Sequence, residues 1–233
     1  MNLEIGGYML TINELAKMID QTLLKAYATD EDLIKHCEEV KKYNFKTAAI
    51  NNAPVEIYKK VFEGTDILCD AAISFPLGQS TIETKVFEAQ DVIDKGAGEI
   101  DYVVNVGKLK SKDYDYVLRE MKAMVEVCHK NNRICKVIFE NCYLEDDEKK
   151  KLCEIALQTD IDFIKTSTGF GTGGATLEDV KLMKACVGDK IKIKAAGGIR
   201  NAKDALAFIE AGASRIGTSA GPKIIEEYKE MIK

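Results

Sequence analysis

Strand-like and helix-like runs alternate along this chain without interruption, and that alternation limits the folds open to it. Short apolar or β-branched runs at residues 18–23, 46–51, 67–74, 99–105, 134–140, 162–166, 191–195 and 215–218 read as strands. Amphipathic stretches at residues 30–43, 54–62, 81–95, 114–131, 145–157, 177–186, 202–210 and 222–232 follow them and read as helices. Strict βα alternation implies a parallel sheet with right-handed crossovers. Eight units in 233 residues fit a closed (βα)8 TIM barrel better than an open doubly wound sheet. A leading helix over residues 12–17 is expected to close the barrel bottom. No linker, low-complexity tract or shift in composition divides the chain, so one domain over residues 1–233 is expected.

Composition excludes several classes of function. The net charge is −5 and no lysine- or arginine-rich run occurs, which argues against nucleic acid as a partner. The short run Glu148-Lys149-Lys150-Lys151 reads as a solvated helix face. No secretory apolar segment and no run long enough to span a bilayer is present, so no membrane partner is expected. The seven cysteines are odd in number and form no C-x-x-C pair, the pattern of reduced, mostly buried thiols in a cytoplasmic protein. His36 and His129 lack a second ligand at metal-binding spacing, so no metal site is expected.

The chemistry concentrates in four consecutive strands. Asp101, Lys136, Lys165 and Lys194 lie at the centres or ends of the fourth to seventh strands, each flanked by apolar residues. Strand alternation lets all four point into the barrel. Burying an ammonium costs several kcal/mol unless it is paired or neutralised. A buried lysine of lowered pKa is a nucleophile at neutral pH. Lys165 in Phe163-Ile164-Lys165-Thr166-Ser167-Thr168-Gly169 fits that description, and Lys194 one unit later can keep it neutral by repulsion. Three lysines against one aspartate leave excess positive charge, so an anion or a neutral lysine is expected.

Glycine loops offer an anion site. Gly197-Gly198 and Gly217-Thr218-Ser219 each precede a helix, at the two loops where barrels recurrently bind phosphate. Gly169-Phe170-Gly171-Thr172-Gly173-Gly174 matches G-x-G-x-x-G, with Asp189 twenty residues after Gly169. It lies in the sixth unit with a lysine just upstream, so it reads as a flexible loop over the active-site mouth rather than a dinucleotide fingerprint.

Together these residues resemble the deoxyribose-phosphate aldolases. The matching motifs are Ile19-Asp20-Gln21-Thr22-Leu23-Leu24-Lys25, Phe75-Pro76-Leu77-Gly78, Gly96-Ala97-Gly98-Glu99-Ile100-Asp101, Lys136-Val137-Ile138-Phe139-Glu140, residues 163–169 and residues 194–200. The resemblance implies a cytoplasmic class I lyase of deoxyribonucleotide catabolism, needing no metal or organic cofactor. Such an enzyme cleaves 2-deoxy-D-ribose 5-phosphate reversibly to acetaldehyde and D-glyceraldehyde 3-phosphate. By position, Lys165 resembles the Schiff-base lysine, Asp101 the acid/base acting through a water, Lys194 the lysine that perturbs the nucleophile, and Lys136 an active-site lysine near Asp101. Gly169, Gly197, Gly198, Gly217 and Ser219 resemble the phosphate cradle. The only partners implied are the small phosphosugar and further copies of the chain, as a homodimer or higher homo-oligomer. Gln21, Ala26, Ala49 and Ala220 depart from the usual His, Pro, Cys and Ser, and the chain ends without a terminal tyrosine. Two alternatives stay open: a non-catalytic phosphosugar-binding barrel, and a Schiff-base aldolase for another phosphorylated substrate.

Overall fold

The computed structural model describes residues 4–5 and 8–233. Two short strands, β1 (Glu4–Ile5) and β2 (Tyr8–Met9), pair antiparallel ahead of helix α1 (Ile12–Ala16). Eight strands then close into a barrel: β3 (Ile19–Leu23), β4 (Thr47–Ile50), β5 (Leu68–Ile73), β6 (Glu99–Val103), β7 (Ile134–Ile138), β8 (Phe163–Lys165), β9 (Lys192–Ala196) and β10 (Arg215–Thr218). All are parallel, and β10 closes the ring on β3. The crossovers run through α2 (Asp30–Tyr43), α3 (Val55–Val61), α4 (Ile82–Lys95), α5 (Val106–Lys110) with α6 (Tyr114–Lys130), α7 (Asp146–Ala156), α8 (Leu177–Val187) and α9 (Ala202–Glu210); α10 (Gly221–Met231) follows the last strand.

Helix ends follow local chemistry. Thr29, Thr81, Thr176 and Asn201 accept the backbone N–H three residues on, satisfying a donor that has no partner within its helix. α2 stops at Asn44 and α4 at Gly96, both left-handed. Helix α1 packs along the bottom rim: Lys17, just past its end, reaches Asn44 and Asp66 at 2.7 and 2.9 Å, in the turns that lead into β4 and β5.

The sequence suggests neither α5 nor the 3-10 turn Asn141–Tyr143, and it extends the fourth strand to residue 105. Asn105 leaves that strand for two reasons. Its side chain caps α5, and its N–H is taken by buried Glu120 at 3.0 Å.

The apolar core is the ring between barrel and helices. Ile100, Tyr102, Val137, Ile164, Ile193 and Ile216 point outward and are at most 1% exposed. Each of the aliphatic side chains among them contributes roughly 1.5–3 kcal/mol on burial. The alternate residues, Glu99, Asp101, Lys136, Lys165, Lys194 and Arg215, face inward and carry charge. Paired charges in a dry interior contribute little net stability, so the outer ring holds the barrel together.

Candidate active site

Strand register brings the predicted ionisable residues together. Asp101 lies level with Lys136 across β6–β7, and Lys165 level with Lys194 across β8–β9. Lys165 Nζ is 2.6 Å from Asp101 Oδ2, and Lys194 Nζ is 2.7 Å from the same oxygen. Lys136 Nζ holds the other oxygen, Oδ1, at 2.8 Å.

The expected excess of positive charge is not what the barrel contains. Asp20, Asp70, Glu99 and Arg215 also face inward and are buried, so four carboxylates meet four cations. Lys194 Nζ touches Asp20 Oδ2 at 2.6 Å and Asp70 Oδ2 at 2.7 Å. Lys136 Nζ touches Asp70 Oδ1 at 2.8 Å and Glu99 Oε2 at 2.7 Å. Arg215 bridges Asp20 at 2.6 Å and Glu99 at 3.2 Å at the bottom of the barrel. Asp20, Asp70 and Glu99 lie close enough together to share a cation, and each is already paired with lysine or arginine. Sequence reasoning missed these four although the signal was the same one that marked Lys165. Each is a charge at the inward parity of an apolar strand, as in Leu68-Cys69-Asp70-Ala71.

This packing sets the protonation states. Burial pushes the pKa of Lys165 down; the Asp101 carboxylate opposes that shift and Lys194 adds to it. Burial also disfavours charge on Lys194, but Asp101, Asp20 and Asp70 outweigh it and hold the pKa above the ordinary value. Lys136 is raised in the same way by Asp101, Asp70 and Glu99. Burial would raise the Asp101 carboxyl, yet Lys136, Lys165 and Lys194 hold it well below the usual carboxylate range. Lys165 is thus the one lysine of the three pushed toward its neutral form.

Of these four predicted residues, Lys165 alone lines the large cavity at the top of the barrel, about 670 Å³ in volume. Gly169, Gly197, Gly198, Gly217 and Ser219 line the same cavity, so all five residues expected to cradle phosphate surround the lysine that opens into it. Gln21 ties the first strand to this rim. Its Oε1 accepts the Gly221 N–H at 3.0 Å, and its Nε2 donates to Glu39 at 2.6 Å and to the Ser219 carbonyl at 3.3 Å.

The glycine-rich loop after β8, expected to be flexible, is anchored. Ala175 N–H donates to the Gly197 carbonyl at 3.1 Å, and a Cβ at Gly174 would run into that carbonyl. The last glycine of the G-x-G-x-x-G spacing therefore serves close approach of two loop backbones, while Gly171 leaves room for the Cys142 and Glu140 side chains. Thr168 donates through N–H, at 3.2 Å, and through its hydroxyl to Glu140, a buried residue with left-handed φ of 57° at the end of β7. Cys142 lies beneath Gly171 and Gly173, while Ala49 faces inward on β4, level with Thr22 and Asp70. No helix among the described residues is long and apolar enough to cross a membrane.

Known proteins share this arrangement of chain. Residues 14–227 match the family described as DeoC/LacD family aldolase. A deoxyribose-phosphate aldolase of Lactobacillus acidophilus is 57% identical over 223 residues, 96% of this chain and 94% of that protein. One from Bacteroides thetaiotaomicron is 51% identical over 224 residues, again 96% of this chain and 94% of that protein. The solved structure of the tetrameric deoxyribose phosphate aldolase from Aeropyrum pernix superposes with a TM-score of 0.88 at 32% identity, covering 95% of this chain and 93% of that one.

Proposed function

The chain belongs to the DeoC/LacD aldolase family, and from that premise we propose that it is a class I lyase cleaving 2-deoxy-D-ribose 5-phosphate reversibly to acetaldehyde and D-glyceraldehyde 3-phosphate. The observation that carries the reading is Lys165. It is buried and pushed toward neutrality, and it is the one lysine of the charged cluster that reaches a cavity rimmed by glycine loops.

Neutral Lys165 attacks C1 of the open-chain sugar, and loss of water gives a protonated imine. Removal of the C3 hydroxyl proton sends electrons from the C2–C3 bond into that imine. Glyceraldehyde 3-phosphate leaves as C3–C5. The two-carbon enamine on Lys165 is protonated and hydrolysed to acetaldehyde. Asp101 and Lys194 carry the protons, supported by the oxygen that Asp101 shares between Lys165 and Lys194. Lys136 holds the other Asp101 oxygen and fixes its orientation. Gly169, Gly197, Gly198, Gly217 and Ser219 bind the phosphate with backbone N–H groups and a hydroxyl.

The whole chain acts as one catalytic domain in the cytoplasm, within deoxyribonucleotide catabolism, and assembles as a homo-oligomer. Exposed Phe87 and Leu77, at 75% and 71%, and the tetrameric Aeropyrum pernix relative support assembly. A coupled assay for acetaldehyde release from deoxyribose 5-phosphate tests the reading, with activity expected and unaffected by EDTA. Binding of the sugar phosphate without release would point instead to a non-catalytic barrel.

A further inference from the structure

Asp70 sits one step below Asp101 in the barrel. Its neighbour across β5–β6 is Glu99, whereas Asp101 is level with Ala72. Its two oxygens reach the two lysines that Asp101 also holds: Oδ1 to Lys136 at 2.8 Å and Oδ2 to Lys194 at 2.7 Å. Asp101 completes the ring from above, with Oδ1 to Lys136 at 2.8 Å and Oδ2 to Lys194 at 2.7 Å. Two carboxylates and two ammoniums form a closed circuit, and of its four members only Asp101 touches Lys165 as well.

Asp70 is not needed to pair either lysine. Without it, Lys136 keeps Glu99 and Asp101, and Lys194 keeps Asp20 and Asp101. Burying a further carboxylate costs several kcal/mol, and an apolar side chain of similar volume is often as stabilising. What Asp70 adds is geometry and charge. It pulls both ammoniums from below while Asp101 pulls them from above.

We infer that Asp70 is a positioning residue for proton transfer. It holds Lys194 and Lys136 in register with Asp101, and its charge helps set the pH range in which Lys165 is a free amine. The inference rests on Lys165 being the residue that forms the imine. The charges facing Asp70 are Asp20 on β3, Glu99 and Asp101 on β6, Lys136 on β7, Lys165 on β8, Lys194 on β9 and Arg215 on β10, while inward Thr47 and Ala49 on β4 carry none. Burial, and then the Asp101 charge, push the Asp70 carboxyl up to about 6 against the pull of both lysines. Its ionised form favours protonated Lys165. As pH falls through that range, Asp70 takes up a proton and its hold on protonated Lys165 weakens. Imine formation then declines less steeply toward acid than a single ionisation would give.

The test follows formation of the borohydride-trapped adduct with deoxyribose 5-phosphate across a pH series, in the full chain and in Asp70→Asn. The variant's acid limb is expected about one pH unit lower and as steep as a single ionisation. Its kcat should fall with KM unchanged, because Asp70 does not reach the glycine loops. An adduct in the wild type with an unmoved limb in the variant would overturn the inference alone, and a loss of thermal stability beside that unmoved limb would mark Asp70 as merely structural. Absence of adduct in the wild type would overturn the imine reading and the inference with it. Should Asp70→Asn not fold, 13C NMR of wild type labelled at the aspartate carboxyl carbons serves instead. One buried carboxyl should titrate above the ordinary aspartate range, and none doing so overturns the inference.

Discussion

Lys165 and Lys194 share one oxygen atom. Asp101 Oδ2 lies 2.6 Å from one ammonium nitrogen and 2.7 Å from the other, so each lysine's pKa depends on the other through a carboxylate as well as by direct repulsion. Lys194 has Asp20 and Asp70 in addition, and Lys165 has neither within ion-pair distance. That asymmetry, more than repulsion, separates a lysine that stays charged from one that becomes a nucleophile.

Lys194→Leu removes the repulsion and leaves Asp101 Oδ2 to Lys165 alone. Both changes favour protonated Lys165, so the acid limb of imine formation should move to higher pH and turnover should slow. Lys194→Arg keeps the charge and should leave the limb closer to that of the wild type, but turnover should still fall because arginine does not release its proton. Rates of trapping and of acetaldehyde release, measured against pH, check both. An unmoved limb in Lys194→Leu would mean that Lys194 does not tune Lys165.

Asp101→Asn should separate binding chemistry from proton transfer. Loss of the carboxylate removes the main influence favouring protonated Lys165, so trapping should persist to lower pH. Turnover should fall by roughly 10²–10⁴, the usual cost of losing a positioned acid/base. The variant should also be less stable by about 3–5 kcal/mol, because three buried lysines lose a partner. In the wild type the Asp101 carboxyl is depressed below its ordinary 3.8. Its contribution to stability is therefore present above that value and lost as pH falls toward the folded-state value. Thermal melts against pH read the difference.

Gly174→Ala should push the loop after β8 away from Gly197, because the new methyl meets the Gly197 carbonyl and a backbone atom cannot step aside. KM for deoxyribose 5-phosphate should rise while the pH limb of imine formation stays in place. A variant with unchanged KM would show that this loop contact does not shape the phosphate cradle.

Ala220 stands where a serine hydroxyl would be expected beside Ser219, at the start of α10. A hydrogen bond to a charged group is worth about 1.5–3 kcal/mol when well made. Ala220→Ser should lower KM for the phosphorylated sugar about tenfold and leave KM for unphosphorylated deoxyribose unchanged. An equal effect on both substrates would contradict a phosphate contact.

Much of this architecture was legible in residue order. Short apolar and β-branched runs located all eight barrel strands, and amphipathic stretches located the helices that follow them, with ends within one or two residues. What stayed hidden depends on contacts between distant strands. Asp20, Asp70, Glu99 and Arg215 each look like an isolated charge in an apolar run, and only barrel closure reveals that Arg215 sits at 2.6 Å from Asp20, 195 residues earlier. The fate of Asn105 was equally invisible, because its departure from the strand depends on Glu120 in helix α6. Glycine spacing in residues 169–174 misleads for the same reason, since Gly171 is forced by Cys142 and Glu140 and Gly174 by the Gly197 carbonyl, all outside the motif.

The central claim is that Lys165 is the amine that becomes covalently linked to the sugar. Borohydride reduction in the presence of deoxyribose 5-phosphate, followed by peptide mass mapping, tests it most directly. The account predicts a single adduct on the peptide carrying Lys165, absent in Lys165→Leu. An adduct that persists unchanged in Lys165→Leu, or that maps to Lys194 or Lys136 in the wild type, would contradict it.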